Sequence, residues 1–79
     1  PHEPFDAPPP ELLGGFVPNT TSRSKYEAAL IALDTLLGDI LTYVDTRDTY
    51  VFLLSDNGTP HQVPPPQGVY PGYKLTVYE

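Results

Sequence analysis

Cysteine is absent from the 79 residues, so neither a disulfide nor a thiolate-held metal can staple the chain. A domain of this size buries only roughly 60% of its unfolded surface and commonly needs such a staple, which leaves packing alone to hold it. Positive charge is scarce: Arg23, Lys25, Arg47 and Lys74 are scattered against ten acidic side chains, for a net charge of -6. That balance excludes a phosphate-tracking nucleic-acid surface and a polybasic membrane patch. No apolar run approaches the roughly 20 residues of a transmembrane helix, and the N-terminus carries neither the basic nor the apolar region of a signal peptide. Met does not open the chain, so Pro1 reads as a processed, cleaved or excised end.

Proline, by contrast, is abundant, with 11 residues concentrated in two stretches, 1–18 and 59–72. Pro8-Pro9-Pro10 and Pro64-Pro65-Pro66 anchor them, with Gly14-Gly15 and Gly68 nearby. Proline at that density removes the backbone donors that helices and ladders require, so both stretches are expected to be extended loop.

Between them lies one strongly periodic segment, residues 24–44. Tyr26, Ala29, Leu30, Leu33, Leu36, Leu37, Ile40, Leu41 and Val44 recur at three- and four-residue steps, while Glu27, Asp34 and Asp39 fall elsewhere on the wheel. The spacing predicts an amphipathic helix of roughly 30 Å with the leucine ladder as core. Ser22 or Ser24 is expected to cap its start, with Glu27 completing a capping box three residues after Ser24. A polar connection, Asp45-Thr46-Arg47-Asp48, follows.

The next run, Thr49-Tyr50-Val51-Phe52-Leu53-Leu54-Ser55, is apolar on consecutive positions rather than alternating. That pattern suits a strand buried on both faces within a sheet sandwiched by helices. Such a strand needs neighbours and a second helical layer, and the chain offers one helix and one further short strand candidate at residues 75–78. The sequence therefore reads as a segment of a larger α/β protein. The run ends in Ser55-Asp56-Asn57-Gly58-Thr59-Pro60. Ligands in open α/β sheets sit at the carboxyl ends of strands, and the Asp56 carboxylate beside the Asn57 amide carbonyl offers two oxygen donors suited to a hard cation. The same residues also spell an ordinary turn, since Asn-Gly is a common turn dipeptide and two ligands do not fill a coordination sphere of about six to eight.

The order of these pieces resembles the sulfatase family of the alkaline phosphatase superfamily. Pro1-His2-Glu3-Pro4-Phe5-Asp6-Ala7-Pro8 resembles the family's Pro-His-x-Pro-x-x-Ala-Pro block. Leu33-Asp34 and Gly38 in the helix, followed by the run from Asp48 into Ser55-Asp56-Asn57-Gly58, resemble its helix and its strand ending in Ser-Asp-Asn-Gly. Tyr73-Lys74-Leu75-Thr76-Val77-Tyr78-Glu79 is similar to its Lys-Gly-Thr/Ser-x-Tyr-Glu block, with Leu75 where glycine is most frequent.

The resemblance implies an α/β fold, part of a sulfatase-like catalytic domain: a mixed sheet sandwiched by helices, to which residues 1–79 contribute one long helix, one buried strand and Pro-rich loops. It implies Asp56 and Asn57 as ligands of a divalent cation, usually calcium, with magnesium as the alternative. It implies His2 as the group at the sulfate or its leaving oxygen, and Lys74 as the cation on the sulfate oxygens. The implied substrate is a sulfate ester, and the implied partner is the remainder of the catalytic domain, with a secreted, periplasmic or lysosomal setting. The formylglycine nucleophile arises from Cys or Ser in Cys/Ser-x-Pro-x-Arg, a motif missing from these 79 residues, so the chain alone is expected to be inactive. Two other readings stand beside this one. One is a phosphate or phosphonate ester hydrolase of the same superfamily. The other is a non-enzymatic interaction segment presenting its triple prolines as polyproline II ligands.

Overall fold

A computed structural model describes residues 4–61 and 63. Two helical elements order them: a short 3-10 helix, η1, at Pro10–Leu12, and the long helix α1 at Ser22–Leu41. η1 forms inside a stretch expected to be loop. Proline is tolerated in a first helical turn, where its missing N–H has no intrahelical acceptor to lose. Leu12 and Leu13 then donate to the carbonyls of Pro9 and Pro10 at 3.1 Å each. Gly14 and Gly15, with φ of 54° and 91°, turn the chain out of η1 through the left-handed region.

α1 has the length its periodicity predicts, displaced by two or three residues toward the N-terminus. Its cap is Thr21, whose hydroxyl oxygen accepts the Ser24 N–H at 3.1 Å. Ser24 occupies the third helical position, and its own hydroxyl accepts the Asn19 N–H at 2.9 Å. Asn19 in turn accepts from Thr21 through its Oδ1, from the backbone N–H at 2.8 Å and from Oγ1 at 2.7 Å. Glu27 takes no part in this ring and accepts instead from Arg23 Nε at 3.0 Å. The last turn tightens into three-residue bonds, with Thr42, Tyr43 and Val44 donating to Asp39, Ile40 and Leu41.

The N-terminal strap packs on α1, and it packs on the face that the leucine ladder does not occupy. Ser24, Ala28 and Ala32 are the buried helix residues, four apart and small enough to admit η1 closely. Leu13, Ala28 and Ala32 form the core, with Leu12, Phe16 and Ile31 packed against it. The Thr35 hydroxyl lies 3.0 Å from both the Leu12 and Ile31 carbonyl oxygens and ties η1 to the helix. Phe5 meets Tyr26 edge to face at 5.5 Å. On the opposite side, Leu30, Leu33, Leu36, Ile40 and Leu41 are exposed, so the ladder read as core is surface in this chain.

Among the described residues the mixed sheet is not there. Among the described residues no strand forms, and residues 50–54 are assigned to neither helix nor ladder. Tyr50, Phe52 and Leu54 are 91%, 82% and 86% exposed, the reverse of a doubly buried strand. The physical reason is that a strand cannot satisfy its backbone alone: without a neighbour to pair with, the run has neither ladder bonds nor a layer to cover it. The second strand candidate, residues 75–78, lies outside the described residues. No helix among the described residues is long and apolar enough to cross a membrane.

Candidate functional site

Asp56 and Asn57 sit where the apolar run gives way to a bend. The Ser55 hydroxyl donates to the Asn57 carbonyl oxygen at 2.6 Å, and Asn57 Nδ2 donates to the Gly58 carbonyl at 2.9 Å. These two bonds follow from the residue types: Ser and Asn side chains bond to backbone nearby and so favour turns. Their consequence is directional. Asn57 spends its donor on the backbone and keeps Oδ1 as an open acceptor, next to the exposed carboxylate of Asp56. Among the described residues neither oxygen accepts a hydrogen bond.

The donor set suits a hard cation in kind and falls short in number. Calcium takes about six to eight oxygens, and among the described residues no three His, Asp or Glu side chains gather to hold a metal ion. Asp45 and Asp48, the nearest carboxylates along the chain, are already engaged. Asp45 accepts from Arg47 three times, from the backbone N–H and Nε at 3.0 Å and from the terminal guanidinium nitrogen at 2.9 Å. Arg47's side chain, then its backbone N–H, hold the Asp45 carboxyl below its ordinary pKa, and Asp45 raises Arg47 in return. Asp48 accepts from the Thr49 hydroxyl at 2.8 Å. The Asp45–Arg47 fork was not singled out from the sequence, where the four residues read as a polar connection. Opposite charges two positions apart in a turn were the available signal.

His2 and Lys74, the two anion-contacting residues that the resemblance implies, lie outside the described residues. Asp56 and Asn57 are adjacent in the chain and share the bend that ends the apolar run. Among the described residues, one surface cleft lies around Phe16, Asn19, Arg23 and Glu27 at the helix start and another over residues 46–50, and neither includes Asp56 or Asn57. Compared with protein-family models, with curated proteins and with solved structures, the chain matches none.

Proposed function

We propose that the chain is part of a sulfatase-type hydrolase of sulfate esters, to which it contributes two ligands of a divalent cation and two groups that contact the transferred anion. The observation that carries this reading is the run Asp48-Thr49-Tyr50-Val51-Phe52-Leu53-Leu54-Ser55-Asp56-Asn57-Gly58, flanked in order by the Pro-His-x-Pro and Lys-x-Thr-x-Tyr-Glu blocks. The open oxygens of Asp56 and Asn57 support it, since a ligand pair must have lone pairs to give. So does the exposure of the apolar run and of the leucine face, the surfaces that a sheet and a second helical layer elsewhere in a catalytic domain would cover.

In this reading Asp56 and Asn57 would hold a calcium or magnesium ion together with ligands from residues outside the described ones, and the ion would supply positive charge to the anion site. Lys74 adds a second fixed charge on the equatorial oxygens of the sulfuryl group, and His2 donates a proton to the departing alkoxide. The nucleophile is supplied by a part of the domain that these 79 residues do not contain.

The test uses the longer polypeptide that carries residues 1–79, assayed on an activated aryl sulfate and on an alkyl or sugar sulfate. Lys74→Ala should slow both, by the roughly 10²–10³ typical of a lost charge-stabilising donor. His2→Ala should slow the unactivated ester by roughly 10²–10⁴ and spare the activated one, because only a poor leaving group needs the proton. Wild-type turnover of the unactivated ester in either variant, or hydrolysis confined to phosphate esters, refutes the sulfatase reading.

A further inference from the structure

We propose that Asn57 is a self-modifying site: its side-chain amide is lost to attack by the backbone nitrogen of Gly58, and the Ser55 hydroxyl activates that attack. The covalent chemistry stands independently of the hydrolase reading, and only its consequence for a bound cation rests on that reading.

The bend at residues 55–58 brings the reacting groups together. Asn57 is followed by glycine, so no side chain hinders the approach of the Gly58 nitrogen to the Asn57 carboxamide carbon. The bond from Asn57 Nδ2 to the Gly58 carbonyl oxygen, 2.9 Å long, folds the carboxamide forward over the residue that carries that nitrogen. Among the described residues the Gly58 N–H donates no hydrogen bond, so none has to break before it reacts. One contact sets this asparagine apart from an Asn-Gly pair in an open chain. The nucleophile is the Gly58 amide after loss of its proton, and the charge of that anion rests largely on the Asn57 backbone carbonyl oxygen. The Ser55 hydroxyl donates to that oxygen at 2.6 Å. A donor already in place where negative charge develops lowers the cost of forming the anion. Ser55 and Asp56 are exposed and Asn57 is half-buried, so water reaches the bend.

The steps balance with water as the co-reactant. Hydroxide takes the Gly58 amide proton and the nitrogen bonds to Asn57 Cγ. The Cγ–Nδ2 bond then breaks, and its nitrogen takes a proton from water to leave as ammonia. Water opens the resulting succinimide ring. Opening at Cγ gives aspartate on the original main chain, while opening at the backbone carbonyl carbon gives isoaspartate, with the chain rerouted through the side chain and longer by a methylene. Either product sets a second carboxylate beside Asp56. Where the pair holds a divalent cation, the change exchanges a neutral oxygen ligand for a charged one, and in isoaspartate displaces it as well.

Asn19, the other asparagine of the chain, is the internal control. The branched side chain of Thr20 crowds the nitrogen that would attack it, and its Oδ1 is held by the Thr21 N–H and hydroxyl at 2.8 and 2.7 Å. The test ages the 79-residue chain in mildly alkaline buffer at physiological temperature and follows it by peptide mass spectrometry, with fragmentation to separate isoaspartate from aspartate. Asn57 should gain one mass unit while Asn19 stays intact. Ser55→Ala should slow the conversion several-fold, and guanidinium should bring the wild-type chain down to the Ser55→Ala rate by dissolving the bend. Gly58→Val should nearly stop it, with helix ellipticity as the folding control for each variant. An Asn57 that stays intact overturns the proposal. Ageing of Ser55→Ala at the wild-type rate, or of the denatured chain as fast as the folded one, overturns activation by Ser55. The modification is read from mass and the metal reading from ion content, so the failure of either is seen apart from the other.

Discussion

The hydroxyl of Ser24 accepts the backbone N–H of Asn19 at 2.9 Å, five residues upstream, and is buried while doing so. The bond closes a ring in which Asn19 accepts from Thr21 and Thr21 accepts from Ser24. Three donors at the start of α1 are thereby satisfied by three neighbouring side chains.

The ring makes Thr21 and Ser24 unequal to the other hydroxyl residues nearby. Thr21→Ala should cost about 1 kcal/mol, and Ser24→Ala a similar amount, because each leaves an N–H without its acceptor. Ser22→Ala should be nearly silent, since the Ser22 hydroxyl takes no part in the ring. Helix content by circular dichroism across a temperature ramp reads all three. Equal losses at Thr21 and Ser22 would contradict the capping scheme.

Gly38 lies in the last turn of α1, and a Cβ added there meets nothing within 4 Å. Gly38→Ala should therefore stabilise the helix by about 0.5–1 kcal/mol, seen as a rise in ellipticity and melting midpoint. Gly14→Ala should do the opposite, because φ is 54° there and only glycine adopts that region without strain. A loss of helicity in Gly38→Ala would mean that the position is crowded by something that these residues do not include.

The helix was legible in the sequence because it depends on neighbours a few positions away, whereas its cap was not: Thr21 takes the place expected of Ser22 or Ser24, and Glu27 closes no capping box. The three- and four-residue spacing of apolar side chains placed α1 to within two or three residues at each end. Which face is buried was not legible. The eye follows the leucines, yet Ser24, Ala28 and Ala32 lie roughly opposite them on the wheel, and their small size lets the strap from Pro10 to Phe16 approach. The sheet failed for a related reason. Residues 49–55 carry the composition of a buried strand, but composition describes what a segment can be covered by, and nothing local states whether the covering is in the same chain. At the candidate site, the Asp56–Asn57 pair was legible as a motif, whereas the Asp45–Arg47 fork needed the turn geometry to bring the two ends together.

That fork sets a pH signature. Asp45 is held below its usual pKa, so its favourable interaction is complete above the unfolded value near 3.8 and is lost as pH falls through the lower folded value. Carboxyl carbon shifts followed by nuclear magnetic resonance should show Asp45 titrating at lower pH than an unpaired aspartate. Arg47→Gln should return it toward the ordinary range. An unchanged midpoint in that variant would remove Arg47 as the cause.

The most direct test of the assignment is made on the metal. The longer polypeptide carrying residues 1–79 should contain one calcium or magnesium ion by elemental analysis and hydrolyse an aryl sulfate. Asp56→Ala should lose both the ion and the turnover, and Asn57→Ala, which removes a ligand, should weaken metal binding by more than the roughly 10–100-fold seen when only a partner of a ligand is removed. Full metal occupancy with undiminished sulfate hydrolysis in Asp56→Ala would contradict the account and leave Ser55-Asp56-Asn57-Gly58 as a plain turn.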